Sequence, residues 1–401
     1  MLKEMCPILN QFCNKEIVMK KLSKPEICTV IGRLACLSLF FTNAGCSGVG
    51  PQIASVQSSQ WITCFPAEKL QAEKPPTCEL SAVAKAEKIL VFANDKAIPD
   101  GSPVFAERFD GSKVDDKPDY FKIPDTYIKS SKYEGMATTP DGAWVIATTA
   151  FDRFDPNKPD WNAYNRILAW PAGHHDQPQV LIGKTEQDID QFRKQIKKTV
   201  TEGGDKLGYF KIEGIAAIPA KSPQDNTGRL LFGIRELGES YDKFNYARKL
   251  VEVGYTIANN QISLGSDYKL KYQFDVSPED QAAGVPQEVG LSSVEYDPAN
   301  KRLYLLTSFE QGEEPSKKLG SYLWVLDEKV LESEPGRQAR PVLIKDATTG
   351  KPVKFPHKAE GLAVLGGDRI VVIFDDDRVT KFDGEPDRKL NESLYQVIQL
   401  Q

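Results

Sequence analysis

Short runs of alternating apolar and polar residues follow one another along most of this chain, separated by clusters of glycine, proline, asparagine and aspartate. They begin near Ile89, where ILVFAND and PVFAERF flank a turn, and end with LYQVIQLQ at the C-terminus. Alternation with a period of two predicts half-buried β-strands. One segment differs, because TEQDIDQFRKQIKKTV places Ile189, Phe192 and Ile196 at helical spacing. It predicts a single helix with Thr185 as its N-cap, inserted between strands and lying over the β body.

A Glu-Gly step recurs at the start of predicted strands and is the clearest repeat in the sequence. It occurs in YEGMATT, IEGIAAIP and AEGLAVL, and its acids are Glu134, Glu213 and Glu360. A fourth hairpin, VGLSSVEYDPANKRLYLLTS, has Val289 where the other copies have the acid. Each hairpin is too small to bury its apolar face alone, so repeated hairpins must stack on their neighbours.

This repetition predicts an all-β fold, a single β-propeller over residues 86–401 with one short helical insertion. A propeller blade needs about 40–50 residues, so the length fits about five to seven blades, with six as the central estimate. The C-terminal strand is expected to join the first strands and close the ring, which removes exposed sheet edges. A pair of β-sandwiches is the structural alternative, but it does not explain the recurring Glu-Gly step.

The N-terminal segment has the pattern of a bacterial lipoprotein signal. Basic residues precede the apolar run LACLSLFF, and TNAGCSG follows it. We expect residues 1–45 to be removed and Cys46 to carry lipid, with Met19 as a possible translation start. Asn43 stands where such signals usually have leucine, so ordinary export with cleavage near Gly45 is the alternative. The apolar run is far shorter than the ~20 residues that a membrane-spanning helix needs. The predicted location is the bacterial cell envelope, periplasmic or associated with the outer membrane, with the membrane as a partner.

Residues 46–85 are rich in serine, glutamine, proline, alanine and lysine, and predict a flexible tether. This segment contains Cys64 and Cys78, the last cysteines in the chain. In an oxidising compartment they are expected to form a disulfide, which would contribute about 3 kcal/mol by restricting the unfolded chain. Two free thiols are the alternative.

Net charge restricts the class of partner. The formal charge is −5, and removal of residues 1–45, which hold six basic and three acidic residues, makes it −8. An acidic surface argues against nucleic acid as a partner and is compatible with metal cations. No Gly-x-Ser-x-Gly elbow, phosphate-binding loop or dinucleotide fingerprint occurs in residues 86–401, so no cofactor other than a metal is expected.

The segments YEGMATTPDGAWVIATT, KIEGIAAIP with GRLLFGIRE, and HKAEGLAVLGGDRIVVIFDD resemble a family of secreted propellers. This family is named for the esterase-like activity of phytase and includes uncharacterised relatives. The resemblance covers about residues 130–380. It implies a propeller fold, an exported location and hydrolysis of esters or phosphoesters.

The repeated acids form the candidate site. Equivalent positions of successive blades converge on the central channel, and converging carboxylates require a counter-charge from a metal ion or a guanidinium. Arg235 and Asp375 lie at corresponding positions of the partner strands. The predicted site, which also contains the catalytic candidates, is Glu134, Glu213, Arg235, Glu360 and Asp375. The predicted ligands for Ca²⁺ are Glu134, Glu213, Glu360 and Asp375. Alternatively, each glutamate closes its own blade by accepting hydrogen bonds from backbone amides.

Two functions fit these patterns. The first is a membrane-tethered propeller without catalytic activity that binds a small-molecule or protein ligand at the channel mouth. The second is a hydrolase of phosphoesters or carboxyesters that uses Ca²⁺ held by channel carboxylates.

Overall fold

The structure, a computed structural model, describes residues 52–98, 101–201, 207–222, 227–312, 317–333, 338–384 and 386–401. The predicted signal segment and Cys46 lie outside the described residues, so lipidation and export stay predictions. No helix within the described ranges is long and apolar enough to cross a membrane.

The described residues form five β-sheets, which are the blades of a propeller, and the strands are numbered in chain order. The first strand, β1 (Ile53–Thr63), belongs to the last blade. Blade 1 contains β2 (Leu80–Ala86), β3 (Ile89–Asn94), β4 (Val104–Arg108) and β5 (Asp119–Tyr120). Blade 2 contains β6 (Tyr133–Thr138), β7 (Trp144–Thr149), β8 (Ile167–Pro171) and β9 (Gln179–Ile182).

Blades 3, 4 and 5 have five strands each. Blade 3 contains β10 (Tyr209–Pro219), β11 (Gly228–Ser240), β12 (Lys243–Ala258), β13 (Gln261–Leu264) and β14 (Lys269–Gln273). Blade 4 contains β15 (Gly290–Asp297), β16 (Arg302–Gln311), β17 (Lys318–Asp327), β18 (Val342–Leu343) and β20 (Lys354–Phe355). Blade 5 contains β19 (Lys345–Asp346), β21 (Ala359–Val364), β22 (Arg369–Phe374), β23 (Glu392–Leu400) and β1.

The innermost strands β2, β6, β10, β15 and β21 contact one another in this order, and β21 contacts β2 to complete the ring. The prediction of a propeller is confirmed. The five blades lie within the predicted range of five to seven, one fewer than the central estimate of six, because long connections and additional strands make each of blades 2 to 4 longer than an average blade. One such connection is the helix α1 (Glu186–Val200); a second helix, α2 (Pro278–Ala282), precedes blade 4.

The helix α1 lies where the sequence predicts it. The hydroxyl of Thr185 accepts a hydrogen bond from the backbone N–H of Asp188, and the Asp188 carboxylate accepts one from the backbone N–H of Thr185. This reciprocal pair satisfies two N–H groups that the first turn leaves free. Phe192 and Ile196 are buried in the apolar cluster between blades 2 and 3. The helix therefore covers the junction of these two blades.

The ring is closed by the two ends of the described chain. Strand β23 pairs antiparallel with β22 on one side and with β1 on the other. Closure by the C-terminal strand is confirmed, but its partner is β1 rather than the strands near Ile89. The tether predicted over residues 46–85 therefore has the wrong boundary, because residues 53–63 form a strand. Its serines and glutamines resemble a linker because much of β1 is exposed.

The connection from β1 to β2 is fixed by a disulfide between Cys64 and Cys78, whose Cα atoms are 5.7 Å apart. Both residues are fully buried in the cluster between blades 5 and 1. The N–H of Cys64 donates to the carbonyl of Asn391, and the N–H of Cys78 donates to that of Leu390. The disulfide loop is thus attached to the start of β23.

A β-bulge occurs at an equivalent position of every inner strand, and the pairing of β10 with β11 has a second shift at Arg235. In each strand the pairing shifts by one residue, and the residues at the shift are Ser81, Glu134, Glu213, Ser292 and Glu360. A bulge redirects the side chain of its extra residue. The alignment of Val289 with the three acids is therefore corrected to Ser292, and Ser81 belongs to a fifth copy that the sequence interpretation did not detect.

Serine at the bulge has a structural role. The hydroxyl of Ser81 donates to the carbonyl of Tyr133 at 2.5 Å, and that of Ser292 donates to the carbonyl of Ala359 at 2.8 Å. Each serine thereby connects its own inner strand to the inner strand of the next blade. Blades 1 and 4 consequently join their neighbours through hydroxyl groups at the position where blades 2, 3 and 5 carry acids.

The glycine after the acid permits close approach between inner strands. A Cβ atom on Gly135 would lie 2.9 Å from the backbone of Gly214. Gly214 has a φ of +85°, and a Cβ atom there would lie 2.8 Å from the backbone nitrogen of Val294. No other residue type fits these contacts without backbone movement.

Substitutions in β1 distinguish a strand from a tether. Ile62 is fully buried, so Ile62→Ala should lower the free energy of unfolding by about 2–4 kcal/mol through lost burial and a new cavity. Val56 on the same strand is 51% exposed, and Val56→Ala should change it little. Urea unfolding followed by tryptophan fluorescence measures both. Equal, small effects of the two substitutions would contradict the assignment of β1 to the propeller.

Candidate functional site

The five predicted site residues lie together at one end of the central channel, where the inner strands begin; we call this end the upper mouth. Glu134, Glu213 and Glu360 are at the bulges of β6, β10 and β21. Arg235 lies on β11 and Asp375 directly follows β22. Each of the five is at most 2% exposed. The predicted convergence is therefore present, in a buried setting where charges need partners.

Three lysines supply most of the counter-charge, and the sequence interpretation missed them. Lys132, Lys211 and Lys358 each precede an acid of the repeat by two residues, in KYEG, KIEG and KAEG. Residues two apart on a strand point to the same side, so this spacing was the signal that could have found them. The Nζ atom of Lys358 is 2.8 Å from Oε1 of Glu360. Lysine side chains thus provide much of the counter-charge that the sequence interpretation assigned to a metal ion or a guanidinium.

Lys211 connects blades 2 and 3. Its Nζ atom contacts Oε1 of Glu213 and lies 3.1 Å from Oε1 of Glu134. Lys132 lies 3.7 Å from the same oxygen of Glu134 and 2.9 Å from Oδ2 of Asp152. Lysines and carboxylates therefore alternate from one inner strand to the next.

Arg235 is the guanidinium that the sequence interpretation placed in the site. Its Nη1 atom is 3.0 Å from Oε2 of Glu213 and donates to the hydroxyl of Ser308 at 2.8 Å. The guanidinium carbon lies 5.1 Å from the ring centroid of Tyr246, within the range of a cation–π contact. Arg235 thereby extends the charge network from blade 3 towards blade 4.

Lys358 continues the network in blades 4 and 5. Its Nζ atom is 3.0 Å from Oε1 of Glu310, and 3.7 Å from an oxygen of Asp375 and of Asp377. Lys317 contacts both Glu310 and Asp377. The carboxylates of Glu310 and Asp377 are therefore shared between two lysines.

Blade 1 contributes the last part of the network. Lys96 contacts Glu79 at 2.8 Å and Asp95 at 2.6 Å. Carboxylate oxygens of Glu79, Asp375 and Asp377 lie within 4.8 Å of one another, a separation that allows them to share a cation. Of the predicted Ca²⁺ ligands, only Asp375 belongs to this group. Glu134, Glu213 and Glu360 have lysine or arginine partners instead, and their role as ligands stays a prediction.

Carboxylates outnumber cations at the upper mouth. The cations are Lys96, Lys132, Arg153, Lys211, Arg235, Lys317 and Lys358. The acids are Glu79, Asp95, Glu134, Asp152, Glu213, Glu236, Glu310, Glu360, Asp375 and Asp377. A buried excess of negative charge is unfavourable unless protons or a bound cation neutralise it.

Burial and neighbouring charges shift the pKa values of several side chains in this network. Burial raises the pKa of Glu134 and of Asp375 well above the ordinary range, and raises that of Glu360 as well. Burial and the nearby Asp375 raise the pKa of Glu79 to about 7, although Lys96 opposes the shift. Burial alone would lower the pKa of Lys211, but Glu134 and Glu213 outweigh it and raise this pKa. These shifts favour the charged form of Lys211 and the neutral form of Glu134, Glu360 and Asp375.

An aromatic patch flanks the network on blade 3. Its members are Tyr209, Tyr241, Phe244 and Tyr246, with neighbouring ring centroids 5.6–6.3 Å apart. Tyr241, at the turn between β11 and β12, is 56% exposed. The hydroxyl of Tyr209 donates to Oε2 of Glu236 at 2.5 Å, which links the patch to the acids. A large exposed ring beside charged groups is suited to contact a ligand.

Comparison with known proteins adds no family. No protein-family model and no curated protein match the chain.

Similar solved structures include a DUF4221 family protein from Bacteroides vulgatus, at 10% identity and a TM-score of 0.39 over 88% of this chain and 99% of that one. A DUF4623 family protein from Bacteroides eggerthii has 9% identity and a TM-score of 0.37 over 88% and 77% of the two chains. A GH62 hydrolase in complex with xylotriose has 9% identity and a TM-score of 0.40 over 85% and 97%. Similarity at this level assigns no function.

The raised pKa of Glu79 predicts a pH dependence of stability. Between its ordinary value of 4.5 and about 7 the folded protein retains a proton that the unfolded chain has lost. The stabilisation of the folded protein by this proton is complete below pH 4.5 and is lost as the pH rises to 7. The free energy of unfolding should therefore fall by up to about 3 kcal/mol over this range. Glu79→Gln should remove this part of the pH dependence of the free energy of unfolding. Urea unfolding at several pH values in EDTA measures it. The exposed Glu73→Gln is the control, and an identical slope in Glu79→Gln and the wild type would contradict the assignment.

Glu213 is expected to be the most sensitive member of the network, because it contacts both Lys211 and Arg235. Glu213→Gln leaves two buried cations with less compensation and should lower the free energy of unfolding by about 3 kcal/mol. Glu239→Gln affects an exposed ion pair with Lys243 and should cost less than about 1 kcal/mol. Chemical denaturation compares the two variants. A loss in Glu213→Gln no larger than in the control would show that the buried pairs contribute little.

Proposed function

We propose that this protein is an exported propeller, lipid-anchored in the bacterial cell envelope, that binds a small polar ligand and a divalent cation at the upper mouth. The observation that carries the proposal is the excess of buried carboxylates there, in a setting that raises the pKa of Glu134, Glu360 and Asp375. Burial opposes the ionised form of these carboxylates, and a bound cation would stabilise it.

The cation is proposed to lie among Glu79, Asp375 and Asp377. Their oxygens are within 4.8 Å of one another, and all-oxygen ligands suit Ca²⁺ or Mg²⁺. In the described part of the chain, Asp375 has no cationic side chain closer than Lys358 at 3.7 Å, which is longer than a hydrogen bond. Glu79 and Asp377 contact Lys96 and Lys317, so a bound cation would share these two carboxylates with lysines. One oxygen of the neighbouring Asp95 is buried without a hydrogen-bond partner among the described residues and supports the same position.

The ligand is proposed to lie between this cation and the aromatic patch. Tyr241 offers an exposed ring, and Arg153 lies with its guanidinium carbon 4.5 Å from the ring centroid of Tyr164. Rings and planar cations bind flat ligand faces, while the carboxylates and lysines bind polar groups at the edge. A small polar molecule with one flat face fits this arrangement better than an extended polymer of phosphates, which the acidic surface repels.

Calcium titration tests the proposed cation. Isothermal titration of the metal-free protein with CaCl₂ should give saturable binding with a Kd between about 10⁻⁶ and 10⁻³ M. Asp375→Asn removes a ligand charge and should weaken binding by about ten-fold or more. Glu239→Gln is the control for net charge and should bind as the wild type does. Absence of binding for both Ca²⁺ and Mg²⁺, or equal binding by Asp375→Asn, would overturn this part of the proposal.

The proposed anchor has its own test. If Cys46 carries lipid, the full chain expressed in a bacterium should partition into detergent and sediment with membranes. Cys46→Ser should shift it to the soluble fraction. Val56→Ala, an exposed change on β1, is the control and should stay with the membranes. Mass spectrometry of the mature N-terminus without a lipid mass would contradict the anchor and favour cleavage near Gly45.

Hydrolysis of an ester or phosphoester is the second candidate. It derives from the sequence resemblance to the propellers named for the esterase-like activity of phytase. The proposed cation among Glu79, Asp375 and Asp377 favours it, because a bound divalent cation can polarise a carbonyl or phosphoryl oxygen of a substrate. Turnover of p-nitrophenyl phosphate or acetate that depends on Ca²⁺ and is lost in Glu79→Gln would support it. Glu295→Gln, far from the upper mouth, should keep that activity. Absence of turnover would leave ligand binding as the function.

A further inference from the structure

A cavity lies at the opposite end of the channel, where the inner strands end; we call this end the lower mouth. Its volume is about 270 Å³, and residues of blades 1, 2, 4 and 5 line it. They include Lys85, Thr138, Glu295, Asp297 and Val364. A cavity of this size holds a small molecule rather than a polymer. It is separate from the site described above, and the proposal below does not depend on the proposed function.

Glu295 is the feature that distinguishes this cavity. It lies three residues after the bulge of β15, and the residues at the same position of the other four inner strands are Ala84, Ala137, Ala216 and Ala363. The propeller therefore folds with a methyl group at this position in four blades. A carboxylate in the fifth has no evident role in the architecture.

Glu295 is also poorly compensated. The residue belongs to the lining of the cavity and is only 7% exposed, and its Oε2 has no hydrogen-bond partner among the described residues. Burial and the neighbouring Asp297 raise its pKa well above the ordinary range, so a cationic donor would bind as this carboxyl group releases its proton to solvent. A buried acceptor without a donor is unfavourable, so a ligand that donates to it would gain binding energy.

The other charged groups of the cavity do not supply that donor. The Nζ atom of Lys85 donates to the carbonyl of Leu365 at 2.9 Å. The carboxylate of Asp297 accepts hydrogen bonds from the backbone of its own turn, at Ala299 and Asn300. With the exposed Glu87 at its edge, the cavity is lined by three acids and one ammonium group that is engaged elsewhere.

We propose that the lower mouth binds a small organic ammonium compound, whose N–H group donates to Glu295. A single ammonium group needs one or two acceptors, whereas a divalent cation needs several oxygens close together. Among the described residues, the acids close enough to share a metal are at the upper mouth and do not include Glu295. The apolar side chain of Val364 suits the carbon chain of the ligand.

The test uses n-butylammonium chloride as the probe and the full propeller chain without its signal segment. Saturable binding is expected by isothermal titration or by ligand-observed NMR. Glu295→Ala should weaken binding by about ten-fold or more, because a charge-assisted hydrogen bond is lost. This variant is expected to fold, since four blades carry alanine at the position, and its melting temperature should be at least that of the wild type.

Two controls separate the proposal from its alternatives. n-Butanol has the same carbon chain without the charge and should bind at least ten-fold more weakly, by roughly the energy of the charged hydrogen bond. Asp375→Asn at the upper mouth should leave butylammonium binding unchanged. The proposal is overturned if the wild type shows no saturable binding, if Glu295→Ala binds equally well, or if butanol binds as tightly as butylammonium.

Discussion

The close approach of five inner strands around a narrow channel is the constraint on which the rest of this structure depends. Gly135 and Gly214 leave no space for a side chain between neighbouring strands. The bulge beside them turns the preceding residue towards the channel, where water has little access. Glutamates placed there in three blades cannot stay uncompensated, so lysines two residues earlier, together with Arg235, surround them. The charge network is a consequence of the packing of the backbone as much as of any ligand.

Sequence periodicity was sufficient for the fold and for part of the site. Alternating strands and the Glu-Gly step predicted the propeller, and the acids of the step do converge with Arg235 and Asp375. The lysines of KYEG, KIEG and KAEG were visible in the same motif, but the interpretation followed the acids alone. Glu79 was not found because it occupies the position of these lysines in the undetected copy at Ser81, and its approach to Asp375 and Asp377 depends on the contact between blades 1 and 5.

Two errors have a common physical origin. Strand β1 was assigned to a tether because the exposed side chains of an outer strand are serines and glutamines, which are also typical of linkers. The copy at Ser81 was missed because serine replaces glutamate and makes a hydrogen bond to the next blade instead of an ion pair. In both cases pairing partners far away in sequence determine the structure, and local composition contains little information about them.

The pairing of β1 with β23 affects how the chain folds. Gln57 and Gln399 form a hydrogen bond across the closure although 342 positions separate them. Contacts between such distant positions form slowly, because a long loop must close first. Because β23 is made last, β1 lacks this partner until synthesis of the propeller is complete. The folding intermediate before that point would be a nearly complete propeller whose last blade exposes an unpaired strand edge.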